Sequence, residues 1–565
     1  MDPRLDASCS AMTLFLRSIR VGLWLIPCAF LTIFFVYPLV SIFAMSVFPD
    51  SSLDLSGVET LIRESYYREV IWFTFYQAVL STFFTVVLAV PAAYVFTRYQ
   101  FRGKRVLMSL VTLPFVLPTV LVAVAFSALL GENGIVNDFL ISIFRLNDAP
   151  IQVEDSLAII LIVHVFYNFS IVFRIVAGYW ANQSPKIEEA ATVLGCSGIK
   201  LWLYVRLPIL RPAILASAIL TFIFTYTSFG VVLIFGGLRY ETVEVVIYKE
   251  AYNYLNLSLA AVLSFVQIGI MLAMMYTYTR LQRNVVMDLQ SVQRVARRPR
   301  SIPERLTVNL TLIFMVILIF TPLLALVMRS LWNGAVTFQN YAQIFAPQDN
   351  YSLSVTPLES TLTSVSFAII TTIVAVTLGL ITCYMIVGIG YKISRWLDPF
   401  FMLPLATSAV TLGFGFIIAL DEPPLNLRTS WVLIPIAHTL VAMPFVIRSI
   451  LPLLRGIPSS VRESASVLGA SPLQTLWMVD LPMISRGIVV GAIFAFTMSM
   501  GEFGASLFIA RPETTTMPIL IYRLLGRVGA ANYGQALALS VLLMSICAIS
   551  FVLIERTRDL GVGEF

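Results

Sequence analysis

The chain has 565 residues, of which 58% are hydrophobic and only 12% charged, with a mean hydropathy of +0.88. Soluble domains carry about 25% charged residues, so a water-soluble fold is excluded and lipid must solvate much of the surface. The net charge of +6 asks for no nucleic-acid partner, because cationic loops held at an anionic inner leaflet account for it.

In chain order, apolar runs long enough to cross a bilayer as helices are predicted at 21–47, 70–96, 106–130, 157–180, 213–236, 257–279, 308–328, 361–388, 397–420, 431–453, 488–510 and 535–554. Their unbroken apolar character does not fit the alternating pattern of a membrane β-barrel. The first run follows Arg17 and Arg20 and is too long for a signal-peptide core, so it reads as a retained span. Arg98, Arg102, Lys104 and Arg105 follow the second run, and arginines crowd residues 280–305. The loops 48–69 and 131–156 are acid-rich. The positive-inside rule then predicts cytoplasmic N- and C-termini. Cys9, Cys28, Cys196, Cys383 and Cys547 form no CxxC or Cys/His cluster, which argues against a disulfide framework or a zinc site.

The chain repeats itself. Shifted by 274 residues, IEEAATVLG at 187–195 falls on VRESASVLG at 461–469, and Leu207-Pro208 falls on Leu481-Pro482. The only two histidines, His164 and His438, superimpose, as do Arg174 and Arg448. In the second and third spans the shift is 290, with Tyr94 falling on Tyr384. The difference lies in the longer outer loop of the first copy, where insertions are tolerated. The expectation is a first half over 1–290, an Arg-rich cytoplasmic linker over 291–306 and a second half over 307–565. Parallel repeats of this kind are related by an axis along the membrane normal.

The most informative segments are 184–208 and 458–482. In the first, Ser184 and Pro185 suit a helix start. Ile187, Ala190, Ala191 and Leu194 then lie on one helical face, and Gly195 suits a left-handed stop. Ser197 is expected to cap a second helix ending before Pro208. In the second, Ser460 and Glu463 read as a capping box, Gly469 as the stop, and Ser471-Pro472 as a restart. The small side chains would let a partner approach closely; the bland alternative is a helix lying on the lipid surface.

These residues resemble the EAA loop of binding-protein-dependent ABC importers. The motif fits Glu189, Ala190, Ala191, Gly195, Leu207 and Pro208, and again Glu463, Ser464, Ala465, Gly469, Leu481 and Pro482, with Ser464 replacing an alanine. The fused layout, with SFGVVLIFGG at 228–237 and MSMGEFGASLFIA at 498–510, resembles the ferric-iron and thiamine permease branch. The second stretch is also similar to molybdate and sulfate permeases. The resemblance implies an all-α polytopic membrane protein of about twelve transmembrane helices, arranged as two parallel six-helix MetI-like permease halves. It implies a bacterial cytoplasmic (inner) membrane location. It implies a homodimeric ABC ATPase seated on the two loops and an extracytoplasmic substrate-binding protein. ATP and Mg would be bound by that ATPase. The chain supplies no P-loop of its own: Gly103-Lys104 is followed by Arg105, and Arg98 stands where the first glycine is needed. No catalytic triad or metal-ligand cluster is apparent, so no enzyme activity or cofactor is expected in this chain.

Candidate pathway residues are Thr227, Ser228, Phe229, Met500, Glu502 and Phe503. Glu502, read as lying within the eleventh span, is a functional-site candidate by default. It would either attract a cationic substrate or hydrogen-bond across a helix interface. His164 and His438 read as interhelical hydrogen-bonders, and Arg174 and Arg448 as snorkelling or paired residues near the inner ends. A secondary transporter of the major-facilitator type shares the 6+6 repeat and basic linker. Its loop signature would fall at 97–105 and 388–396, which match it poorly. A membrane receptor or scaffold would not need two such loops. Ferric iron and thiamine lead as substrates through resemblance; polyamines and oxyanions stay open.

Overall fold

The computed structural model describes residues 22–49, 52–287, 296–332, 335–345, 355–421, 423 and 425–559. Cys9 and linker residues 291–295 lie outside them. Among the described residues the regular structure is helical, apart from two isolated bridges. Among the described residues eleven helices are long and apolar enough to cross a membrane: Gly22–Val47, Ser65–Arg98, Thr119–Phe144, Leu157–Ala181, Gly198–Tyr226, Leu257–Leu281, Ile302–Ser330, Pro357–Gly388, Leu433–Gly456, Pro472–Gly501 and Ala530–Ile554. A pair bent by 92°, Lys392–Leu405 and Ala409–Ala419, makes a twelfth if it is one span. Helices dominate because each satisfies its own backbone hydrogen bonds, which lipid cannot do.

Four expected spans are redrawn. The third, expected at 106–130, opens with short helices Lys104–Leu110 and Leu113–Val116 and then runs from Thr119. Leu117, preceding Pro118, is extended with ψ 140°, as steric conflict with a following proline ring requires. The ninth, expected at 397–420, breaks at the corresponding place, where Thr407 is extended and Ser408 caps the next helix by accepting from Val410 N and Thr411 N. The fifth and eleventh spans start about fifteen residues earlier than expected and stop earlier, at Tyr226 and Gly501. The short helices Gly230–Phe235 and Gly504–Ile509 follow their breaks.

Besides Lys249–Asn253, the described residues contain three widened, π-type turns, at Thr32–Val36, Trp202–Arg206 and Leu476–Asp480. Each ends two residues before a proline: Pro38, Pro208 and Pro482. Proline has no N–H for the carbonyl four residues back and its ring pushes that carbonyl away. The helix accommodates it by inserting a residue into the preceding turn.

The chain forms two compact units, each drawing on both sequence repeats. Among the described residues, one draws on 45–358 and 517–548, and the other on 22–44, 359–516 and 549–559. In the larger unit, Phe96, Phe169, Phe173 and Trp180 of the second and fourth spans share a core with Val308, Met315 and Ile319 of the seventh. The Phe96 and Phe173 rings meet edge to face at 5.0 Å. In the smaller unit the tenth and eleventh spans pack backbone to backbone. A Cβ on Gly487 would lie 2.6 Å from Ser449 O, and one on Gly491 would lie 2.5 Å from Ser449 Oγ. Small residues substitute here for the hydrophobic drive that lipid removes.

Candidate coupling loops and intramembrane polar sites

The 184–208 loop folds as helix Lys186–Val193, a left-handed Gly195 at φ +84°, and helix Gly198–Leu201. The 458–482 loop folds as helix Ser459–Val467, Gly469 at φ +83°, and helix Pro472–Thr475. Both first helices close in the same way. Cys196 N donates to Ala191 O and Ala470 N to Ala465 O, at 2.9 and 3.0 Å. This six-residue closure is the glycine-dependent stop of a Schellman motif. Nothing lies within 4 Å of where a Cβ would project from either glycine, so backbone strain alone selects glycine there.

Three local expectations change. The second helix of each loop does not stop before its Leu-Pro; it runs through the widened turn into the fifth or eleventh span. Ser460 and Glu463 form no capping box, because Pro458 is extended at ψ 140° and the helix already starts at Ser459. The box forms instead between Ser471 and Gln474. Ser197 occupies the cap position without a side-chain bond, and Lys186 N donates to Ser184 Oγ at 3.4 Å.

The apolar side of each first helix faces outward. Leu194 is 87% and Leu468 86% exposed, and Val193 and Val467 match them. Glu189, Ala190, Gly195, Pro208, Glu463, Ser464, Gly469 and Pro482 are exposed, while Ala191, Leu207, Ala465 and Leu481 are half-buried. Isolated exposed apolar residues are ordinary, but the same two neighbours at the tip of both elbows form a repeated surface suited to a partner.

The buried side carries residues that the motif does not include. Glu188 is 7% exposed. Its carboxylate accepts from Trp180 Nε1 at 3.3 Å and Arg206 Nε at 3.4 Å, and Arg98 lies 3.5 Å away. The Arg206 guanidinium stacks over Tyr94 at 4.8 Å, a cation–π contact. In the other loop Arg462 Nε donates to Asp480 Oδ1 at 2.9 Å. The 274-residue shift puts Glu188 on Arg462 and Arg206 on Asp480, so the repeat alone carries this signal.

The pathway candidates sit at the two breaks. Phe229, Met500, Glu502 and Phe503 are buried, and Thr227 and Ser228 partly so. Thr227 Oγ1 donates to Ile223 O at 3.0 Å. Glu502 lies not within the eleventh span but just after it, in extended conformation at ψ 126°. Its carboxylate accepts from Ala505 N at 2.8 Å, Ser506 N at 3.0 Å and Ser506 Oγ, and His438 Nε2 lies 3.3 Å away. The residue thus occupies the freed N–H groups at the start of Gly504–Ile509, where an anion is also favoured by the helix field.

His438 bridges two elements, with Nδ1 2.7 Å from Ser499 Oγ and Nε2 2.8 Å from Ser506 Oγ. Ser499 Oγ in turn donates to Thr371 Oγ1 at 3.4 Å. His164 is arranged alike, 3.0 Å from Ser81 and 2.8 Å from Ser228, and Ser81 is the repeat counterpart of Thr371. Arg174 donates to Met108 O at 3.3 Å, while Arg448 is exposed. Among the described residues no group of three His, Cys, Asp or Glu could hold a metal ion.

Comparison with known proteins places these repeats. The family of binding-protein-dependent transport system inner membrane components matches twice, over residues 85–286 and 375–557. The thiamine transport system permease protein ThiP of Haemophilus influenzae is 25% identical over 88% of this chain and 90% of its own length. The Escherichia coli ThiP is 23% identical over 87% and 90%. The ferric transport system permease protein FbpB of Actinobacillus pleuropneumoniae is 24% identical over 91% of this chain and 75% of its own length. Two copies of one permease domain in a single polytopic chain make this protein a fused, two-half member of the binding-protein-dependent transport system inner membrane component family, the permeases of ABC importers.

Proposed function

We propose that this chain forms the membrane pathway of an ATP-driven importer for thiamine or ferric iron, and that loops 184–208 and 458–482 are the sockets for a separate, homodimeric ATPase. The observation that carries this reading is the duplicated elbow. Each copy has a left-handed glycine, an exposed apolar tip and a helical continuation into a span. On this reading both loops and both termini face the cytoplasm of a bacterial cell, and the solute arrives from an extracytoplasmic binding protein. ATP and Mg bind the partner ATPase. Its closure moves the two elbows, and the spans continuous with them alternate between inward- and outward-open states. The substrate choice rests on the relatives named for thiamine and ferric transport, which cover most of the chain.

The test is uptake into proteoliposomes holding the permease, its ATPase and its binding protein, with labelled thiamine and ferric iron as separate probes. Vanadate-sensitive uptake of one probe, dependent on internal or external ATP according to ATPase orientation, is expected. Uptake driven by a proton gradient without ATP would instead support a facilitator-type carrier. ATP-driven transport of neither probe would remove the substrate assignment and leave the ATPase reading standing.

A further inference from the structure

The two loops carry the same strut with its charges inverted. In one, an acid on the first loop helix, Glu188, meets a base at the last residue of the widened turn, Arg206. In the other, a base on the first loop helix, Arg462, meets an acid at the last residue of the equivalent turn, Asp480. Glu188, Arg206 and Asp480 are buried. Both pairs span eighteen residues of chain and close the elbow, tying its first helix to the helix that becomes the span. A widened turn is mechanically weak, because it interrupts the regular backbone ladder just where the loop would have to push. A buried ion pair across that point contributes little net stability, since desolvation offsets its attraction. Its value is geometric: removing one partner leaves an uncompensated charge, and only a few arrangements satisfy both.

We infer that Glu188–Arg206 and Arg462–Asp480 are positioning pairs that lock each coupling helix to its span, so that motion of the loop is passed on rather than absorbed at the widened turn. The inference rests on the loops being ATPase sockets, but its residues lie on the side of the elbow opposite the exposed tip. The inverted polarity shows that either sign order builds the strut. The first pair has an extra cation, Arg98, whose repeat counterpart is Gly388; the second pair is therefore the cleaner one to invert.

The experiment uses the full chain with its ATPase, carrying spin labels at Ser466→Cys and Ser485→Cys in an otherwise cysteine-free background. Both positions are exposed, on the loop helix and on the span. The intact pair should give one narrow distance distribution that is unchanged by ATP and vanadate. Arg462→Glu and Asp480→Arg should each broaden it and lower permease-dependent ATP hydrolysis about tenfold, while ATPase still copurifies; coupled neighbours show interaction energies of this order. The double variant R462E/D480R should recover both the narrow distance and at least about half the hydrolysis, as a direct pair requires. Unbroadened distances in the single variants, or no recovery in the double variant present at normal membrane level, would overturn the inference. Separately, Glu463→Arg on the exposed face should block ATPase capture; if it does not, the socket reading fails rather than the strut.

Discussion

At the scale of single residues, each buried histidine ties helices together through serine hydroxyls. His438 joins Ser499 to Ser506 while Glu502 accepts from the same helix start. His438→Leu takes the imidazole away from two serine hydroxyls and one side of a carboxylate, while Ser499 keeps Thr371 and Ser506 keeps Glu502. An unsatisfied buried polar group costs about 1–3 kcal/mol, and interhelical hydrogen bonds in membranes average about 0.6 kcal/mol. His438→Leu should therefore lower the thermal midpoint of the detergent-solubilised permease by several degrees, with His438→Asn recovering part of the loss. A midpoint equal to the wild type would show that the bridge does not fix packing. Both histidines are legible in the sequence through the repeat. Their pairing with serines is not, because the partners lie 61 to 83 residues away in sequence. Glu502 was legible as an intramembrane acid, but its position at a helix start was not. The apolar run continues through residue 510 with no proline, and Gly501 and Gly504 alone flank the break.

At the scale of elements, hydrophobicity marks where a helix can lie in lipid but not where it bends. The break before Thr119 follows from Leu117-Pro118, whereas the break after Tyr226 has no proline and depends on how Thr227 and Ser228 bond to their neighbours. The widened turns at 202–206 and 476–480 are readable in retrospect from Leu-Pro, the end of the loop motif. The early start of the fifth and eleventh spans was hidden because Lys200 and Arg206, or Asp480, lower the local hydropathy. Yet these charged residues are carried on a helix continuous with the span. Packing of the tenth and eleventh spans sets a sharper limit. Gly491→Leu would drive a side chain into Ser449 and Val446, which already lie 2.5 to 3.3 Å from a single added Cβ. Its backbone contact cannot relax without separating the helices. Membrane levels of Gly491→Leu should fall several-fold on a quantitative immunoblot, while Gly491→Ala should be milder. Equal levels for Leu and wild type would argue that the two helices separate without cost.

At the scale of the whole molecule, the sequence repeat and the packing units are different divisions of one chain. The repeat is read from matching residues at a shift of 274, and it agrees with the two family matches at 85–286 and 375–557. The packing units instead assign the seventh span to the core built by the second and fourth, and residues 22–44 to the unit of 359–516. Nothing in local sequence encodes that exchange, because it depends on which apolar faces meet after insertion. The duplicated loops were legible in full as motifs, and their fold explains the pattern: glycine for the left-handed stop, Leu-Pro for the widened turn. The inverted ion pair lay unread between those motif positions. On the proposed function each loop seats one ATPase subunit. The most direct measurement is the mass of the intact complex purified through the permease after coexpression with its ATPase. Two ATPase copies per permease chain are expected, with loss of the assembled pair when Glu463→Arg disables one loop. A permease that retains both copies with Val193, Val467, Glu189 and Glu463 all changed to arginine, or that transports at full rate with no ATPase bound, would contradict it.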